Sequence, residues 1–188
     1  MIKIGITGSI ASGKTTASKI ISLKRGPLFS ADDFVKQLYR SKKFKKIIIK
    51  KFSIKATNNF KAELKKKLLY KKANLKKLTK LIHPLVRKEM FNFIKKNKSK
   101  SIIFLEIPLL IESKLMNYFD LIIFIKSNKR LRLKRYVSKG GDKRLFSFLD
   151  NHQMKDSKKL KYCDYVVVNN KSLSVLKKNL LNIMNLYE

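Results

Sequence analysis

A glycine-rich loop near the amino end constrains the fold of this chain more than any other feature. The loop fits the phosphate-binding pattern G-x-x-x-x-G-K-[ST], in which each residue type has a physical task. Gly8 and Gly13 permit backbone angles that side chains would block, so the loop can turn its N–H groups onto phosphate oxygens. The residues predicted to hold the nucleotide are Gly8, Ser9, Ile10, Ala11, Ser12, Gly13, Lys14, Thr15 and Thr16.

Two side chains of the loop and the flanking sequence strengthen this prediction. Lys14 brings a mobile positive charge to the outer phosphates, and we predict that it is catalytic because it neutralises charge on the β–γ bridge. The Thr15 hydroxyl can ligate Mg²⁺, which is therefore a predicted cofactor. Alternating isoleucines at 2, 4 and 6 indicate a strand before the loop, and residues 16–21 indicate a helix after it. The amino end of that helix would favour an anion.

Strand and helix patterns alternate along the chain, which indicates an α/β fold. After the first strand, buried strands are predicted at 27–30, 101–106, 121–125 and 165–168. Helices are predicted at 31–40, after residue 110, and around 175–186. The prediction is a P-loop kinase fold, in which helices flank a parallel sheet and a helical substrate-binding insertion and a basic lid are added.

We predict that the chain forms a single domain with three regions. Residues 41–99 show helical apolar spacing and no clear buried strand, which favours a helical acceptor-binding region; Pro84 is predicted to end one helix and open the next. A very basic helix at 129–139, ended by two glycines, marks a lid at about 129–148. The predicted core consists of residues 1–40, 101–128 and 150–188.

The net charge of +34 leaves two explanations open. Taken alone, it indicates a nucleic acid or an anionic membrane as a partner. However, the basic residues are nearly all lysines spread through most of the chain, and a phosphate-binding surface usually uses more arginine. Lys, Ile, Asn and Phe share A/T-rich codons, so base-composition bias on a solvated surface is the favoured explanation. We therefore expect no specific nucleic acid partner.

The cysteine count and the hydropathy pattern bear on the compartment. Cys163 is the only cysteine, which excludes an internal disulfide and suits a reducing cytosol. The amino end lacks a secretory apolar stretch, and no apolar run is long enough to span a bilayer. We expect a cytoplasmic protein without a membrane partner, and a monomer is favoured.

Three acidic residues are candidates for chemistry at the sheet edge. Asp32 and Asp33 follow the second predicted strand, where a carboxylate can accept the proton of an attacking hydroxyl, although helix capping is an equally good explanation. Glu106 ends a buried strand, where it is either close to Mg²⁺ or a simple strand-end carboxylate. Glu112 lies in a predicted helical stretch, and a structural role is favoured.

Several blocks of sequence together resemble the dephospho-coenzyme A kinase family. They occur in the family's order and cover most of the chain. The blocks are Gly5-Ile6-Thr7-Gly8 through Thr15, Ser30-Ala31-Asp32, Leu81-Ile82-His83-Pro84, Ile107-Pro108-Leu109-Leu110-Ile111-Glu112 and Cys163-Asp164-Tyr165-Val166-Val167. The resemblance implies ATP as cofactor and phosphorylation of the ribose 3′-hydroxyl of dephospho-CoA, the last step of CoA synthesis.

The resemblance also implies roles for individual residues. Asp32 matches the general base, and Thr7, His83 and Arg87 match residues close to the acceptor. Lys139 takes the place of a lid arginine and is predicted to contact substrate.

This chain departs from the family pattern at a few positions. Ser30 replaces the first acid of an Asp-Ala-Asp block, and Phe148 stands where a second lid arginine is usual. A lysine lacks the guanidinium fork, so the lid is expected to hold phosphate less firmly unless Arg132 or Arg135 compensates.

Two other functions remain open on the sequence alone. A phosphate loop is shared by GTPases, ATPases and small-molecule kinases, and the chain length favours the last class. A kinase for nucleosides or nucleoside monophosphates would have nearly the same architecture. A nucleic-acid-binding NTPase has the net charge as its main support, but the chain carries no aromatic signature of RNA-binding domains.

Overall fold

A computed structural model describes residues 1–54 and 60–187 of the chain. The described chain divides into two compact units, one formed by residues 1–31 and 92–188 and the other by residues 32–91. Along the chain the elements are β1 (Ile2–Gly8), α1 (Lys14–Ser22), β2 (Leu28–Ser30), α2 (Ala31–Arg40), α3 (Lys42–Phe52), α4 (Phe60–Tyr70), α5 (Lys72–Lys96), β3 (Ile102–Glu106), β4 (Leu121–Lys126), α6 (Lys129–Ser138), α7 (Lys143–His152), α8 (Asp156–Lys159), β5 (Tyr165–Val168) and α9 (Leu173–Met184).

The first unit is built on a five-stranded sheet in the order β2-β3-β1-β4-β5, and every neighbouring pair is parallel. In the register, Ile6 lies opposite Glu106 of β3, and Ser30 at the end of β2 lies opposite the same residue. The carboxyl ends of these strands therefore share one edge, from which the phosphate loop also departs. The predicted parallel sheet flanked by helices is confirmed.

The core of this unit explains why its strands are almost entirely apolar. Strands β1, β3 and β4 are buried on both faces, as parallel strands between helices must be. One side packs against α1 and α9, whose buried residues include Ile21 and Leu180. The central strand holds Ile4 and Ile6 with no exposure at all. The rigid sheet positions the loop between β1 and α1.

One local prediction for this unit is wrong, and one helix was not predicted. Residues 108–114 form turns instead of the expected short helix, and Lys114 ends them with a positive φ of 53°, which is incompatible with continued helix. The chain then enters a short 3₁₀ turn at Met116–Tyr118. In addition, α7 follows the basic helix although no helix was predicted there.

The second unit is a helical cluster with its own core. Helices α3 and α4 and the first part of α5 bury one apolar face each, which includes Phe44, Ile48, Leu64 and Leu78. Ser41 caps α3 by accepting a hydrogen bond from the amide of Phe44 at 3.4 Å. No strand is present among the described residues of this region, which agrees with the helical prediction for residues 41–54 and 60–99. Residues 55–59 of that prediction lie outside the described residues.

The prediction that Pro84 separates two helices is wrong. Helix α5 runs without a break through Pro84, although proline removes one main-chain donor and crowds the carbonyl of the preceding turn. Buried apolar residues on both sides of it, Leu78 and Met90, anchor the two halves of the helix. Burial of these residues on both sides of Pro84 thus outweighs the cost of ~3 kcal/mol that proline imposes inside a helix.

None of the helices within residues 1–54 and 60–187 has the length and apolar character needed to cross a membrane.

Candidate nucleotide-phosphate site

The loop between β1 and α1 has the backbone geometry of an anion cradle. Gly8 has a φ of +148° and Gly13 a φ of +100°, angles that L residues rarely adopt. A Cβ atom would also collide with the Ile125 carbonyl oxygen at Gly8 and with the Asn169 side-chain nitrogen at Gly13. Both glycines are therefore required by space as well as by angle.

Lys14 and Thr15 are the first two residues of α1 and bond to different partners. Lys14 is only 7% exposed, and its Nζ donates to the Ser9 carbonyl oxygen at 2.9 Å, so the ammonium group lies across the mouth of the loop. The Thr15 hydroxyl donates to Glu106 Oε1 at 2.7 Å. Glu106 is fully buried, and its Oε2 has no hydrogen-bond partner among the described residues. A hydroxyl and a buried carboxylate with a spare oxygen form a donor set that suits a hard divalent cation.

Residues far along the chain surround the outer half of the loop. Gln153 Oε1 accepts from the amide of Ile10 at 2.9 Å, and the Ser9 hydroxyl donates to the Asp156 carboxylate. These contacts border a cavity of about 270 Å³ that Arg132 also lines. The segment after α7 therefore closes one side of the loop.

Helix α6 faces the loop with two arginines that the sequence offered as additional phosphate clamps. Arg132 is 6% exposed, and its Nη1 donates to the Ile10 carbonyl oxygen at 3.2 Å and to Asp150 at 2.6 Å. Burial alone would raise the pKa of the Asp150 carboxyl, but the bonds and charges of Arg132 and Lys129 outweigh burial and lower that pKa. Asp150 is therefore ionised at neutral pH, and Arg132 is held in place by it.

An ion pair fastens the segment after α7 to the turn that follows β3. Lys159 is fully buried, its Nζ lies 2.6 Å from Glu112 Oε1, and the same oxygen accepts from the amide of Met154 at 3.2 Å. Glu112 thus has the structural role that was favoured for it, although it lies in a turn.

Replacing Lys159 by methionine is expected to lower the free energy of unfolding by about 3 kcal/mol, because a buried carboxylate is left without its counter-ion. Glu112 keeps some exposure, so water offsets part of the loss of its counter-ion. The double variant K159M/E112L should recover most of the loss, since an apolar pair of similar size replaces both charges. Urea denaturation of both variants measures the effect, and an unchanged K159M midpoint would contradict it.

The predicted acceptor-side residues are divided between the two units. In the first unit, Thr7 is fully buried and donates to the Pro108 carbonyl oxygen at 3.2 Å, whereas Lys139 is exposed just after α6.

In the second unit, Asp32 is exposed in the first turn of α2. His83 and Arg87 lie one turn apart on α5, so they share a face of that helix.

Four polar residues of the site were missed by sequence analysis. Asn169 follows the last strand at the carboxyl edge of the sheet, a position that could have drawn attention to it. Its Nδ2 donates to the Ser12 carbonyl oxygen at 2.8 Å. Gln153 and Asp156 carried no local signal, because their partners in the loop lie 143 and 147 positions away. Asp150 pairs with Arg132, which lies 18 positions before it on a different helix.

Substituting Gly13 by alanine is expected to destabilise the protein and to abolish tight binding of Mg·ADP. Alanine disfavours the φ of +100° at this position, and its Cβ would overlap the Asn169 side chain. Gly140→Ala is a matched control, since Gly140 has a φ of +78° but a Cβ there would meet nothing within 4 Å. The control should lose ~1–2 kcal/mol from backbone strain alone. Thermal melts with and without Mg·ADP compare the two; equal behaviour would contradict the collision at Gly13.

Comparison with known proteins gives a consistent result. A family model described as dephospho-CoA kinase matches residues 2–174. A dephospho-CoA kinase of Bartonella quintana is 34% identical over 90% of this chain and 90% of its own, and one of Fusobacterium nucleatum is 30% identical over 92% of each. In structure, a dephospho-CoA kinase from Campylobacter jejuni superposes with a TM-score of 0.66 at 24% identity, covering 97% of this chain and 95% of its own.

Proposed function

Because this chain belongs to the dephospho-CoA kinase family, we propose that it transfers the γ-phosphoryl group of ATP to the ribose 3′-hydroxyl of dephospho-CoA, which yields coenzyme A. The observation that carries the proposal is the glycine-shaped loop between β1 and α1, within a chain that matches the family over residues 2–174. The protein is accordingly an ATP-dependent phosphotransferase.

The loop supplies binding and charge neutralisation for the nucleotide. Within residues 9–15, the amide of Ile10 donates to Gln153 and the amide of Ser12 donates to the Ser9 carbonyl, so the other main-chain N–H groups are proposed to hold the β-phosphate. The amino end of α1 adds a favourable dipole. Lys14 reaches the β–γ bridge once its ammonium group exchanges the Ser9 carbonyl for phosphate oxygens. Charge that develops on the leaving ADP is then neutralised where it forms.

Thr15 and Glu106 would hold Mg²⁺ beside the phosphates. The fit rests on the Thr15 hydroxyl at 2.7 Å from Glu106 Oε1 and on the buried Oε2, which has no other partner among the described residues. When bound, the ion neutralises negative charge on the β- and γ-phosphate oxygens. Glu106 keeps the threonine hydroxyl turned toward that position.

Asp32 is proposed as the general base. It follows by two residues the strand end at Ser30, which lies in register with Glu106 at the edge of the sheet. Its carboxylate accepts the proton of the 3′-hydroxyl while the new O–P bond forms and the bond from phosphorus to the β–γ bridging oxygen breaks. Thr7, His83, Arg87 and Lys139 are proposed to bind the acceptor.

A coupled assay of ADP release tests the function, with dephospho-CoA compared against a panel of nucleosides and nucleoside monophosphates. We expect turnover with dephospho-CoA, and a product that is heavier by one phosphate group in mass spectrometry. Faster turnover with a nucleoside or nucleotide would favour the nucleoside kinase alternative. ATP hydrolysis that needs RNA or DNA would favour a nucleic-acid-dependent NTPase.

A further inference from the structure

Two carbonyl oxygens of the phosphate loop accept hydrogen bonds from side chains outside the loop. The Ile10 carbonyl accepts from Arg132 Nη1 at 3.2 Å, and the Ser12 carbonyl accepts from Asn169 Nδ2 at 2.8 Å. Both donors come from elements far along the chain, α6 and the residue after β5. Both contacts lie within the first compact unit.

Arg132 is fixed on several sides and is not a mobile lid cation. Its Nε donates to the Ser127 carbonyl at 3.1 Å, its Nη1 also donates to Asp150 at 2.6 Å, and its guanidinium lies 5.7 Å from the ring centre of Phe146. With 6% exposure, the group has little freedom to turn elsewhere. The guanidinium is therefore held pointing toward the Ile10 carbonyl oxygen.

Asn169 is held in the same way by Arg135, which lies one turn after Arg132 on α6. Arg135 Nη2 donates to the Asn169 carbonyl at 3.0 Å and approaches its Oδ1 at 3.4 Å, while Nη1 donates to the Ser127 hydroxyl at 3.1 Å. Because Oδ1 faces the arginine, Nδ2 must face the Ser12 carbonyl. Asn169 is itself only 7% exposed, so its side chain has little room to rotate away from this orientation.

Because the peptide group is planar, fixing a carbonyl oxygen also fixes the direction of the next N–H group. In a trans peptide the C=O and the following N–H point in opposite directions. Holding the carbonyls of Ile10 and Ser12 toward α6 and Asn169 therefore directs the N–H groups of Ala11 and Gly13 to the other side of the loop. Those are two of the amides that the proposed function assigns to phosphate.

We propose that Arg132 and Asn169, with Asn169 oriented by Arg135, are positioning residues that aim the amides of the phosphate loop at the nucleotide. They act through the loop carbonyls and do not bind phosphate themselves. This inference rests on the proposed function, since it assumes that the loop receives the β-phosphate of ADP or ATP. It assigns Arg132, and Arg135 through Asn169, to the loop backbone instead of to a phosphate clamp.

The test measures binding of Mg·ADP and of AMP by titration calorimetry to the wild type and to R132Q, R132K and N169L. Affinity for Mg·ADP should fall about tenfold in R132Q and R132K, the scale of one buried hydrogen bond from a charged group, and about fivefold in N169L, which loses a neutral bond. AMP lacks the β-phosphate, so its affinity should be unchanged. R130Q is the matched control, because Arg130 is an exposed arginine on the same helix and its loss removes the same charge.

Two comparisons separate positioning from simple attraction between charges. R132K keeps the positive charge but cannot make the three directed bonds, so it should be as weak as R132Q. N169L removes the amide donor and changes neither the size of the side chain by much nor its charge. If R132Q does not fold, N169L still tests the proposal. Wild-type affinity in R132K or N169L, or equal losses for ADP and AMP, would overturn the proposal. A wild type that fails to bind Mg·ADP would overturn the proposed function and this inference with it.

Discussion

Replacing Lys14 by alanine is expected to lower the rate of phosphoryl transfer by roughly three orders of magnitude or more, the scale seen when a group that stabilises developing phosphate charge is removed. The ammonium group lies at the mouth of the loop, 2.9 Å from the Ser9 carbonyl, and is 7% exposed. Little water is available there to replace its charge. Single-turnover kinetics with Mg·ATP and dephospho-CoA measure the loss.

The control for Lys14 must separate lost chemistry from lost structure. Lys19→Ala removes an exposed lysine from the same helix and should leave the rate unchanged. Lys14→Met keeps the apolar stem that fills the loop, so its melting temperature should remain close to that of the wild type while its rate falls as far as that of K14A. A K14M enzyme with near-normal turnover would remove Lys14 from its catalytic role.

Changing Asp32 to asparagine is expected to lower turnover by roughly two to four orders of magnitude, which is the contribution of a positioned general base. Asparagine keeps the size of the side chain and its place in the first turn of α2 but cannot accept the proton of the 3′-hydroxyl. The loss should appear in kcat with little change in the KM for ATP, because the nucleotide is held by the loop. Steady-state kinetics with both substrates varied give the two constants.

Asp33 provides a matched control for Asp32. It is the next residue, is also acidic, and its carboxylate lies 2.6 Å from Lys36 in a local ion pair. Asp33→Asn makes the same chemical change on the same helical turn and should cost little activity. If D33N lost as much turnover as D32N, the effect would belong to the helix end and its dipole and not to a base. Near-normal turnover in D32N alone would exclude Asp32 from that role.

The elements that could be predicted are those whose signal is local. Helix α2 was predicted at 31–40 and observed there, because its apolar spacing and the preceding strand end lie within a few residues. Strands β3 and β4 are short apolar runs that only a buried parallel sheet accommodates. The continuity of α5 through Pro84 was not predictable, since burial of Leu78 and Met90 arises only after the chain has packed.

The sequence by itself determined the phosphate loop, because the glycines, the lysine and the threonine that make it are contiguous and their backbone angles follow from residue type. Only the tertiary structure decided what surrounds that loop. Arg132, Gln153 and Asn169 reach it across 122, 143 and 157 positions of sequence. No local periodicity connects residues so far apart; the parallel sheet and α6 bring them together, and burial of their polar atoms then selects the loop backbone as their partner.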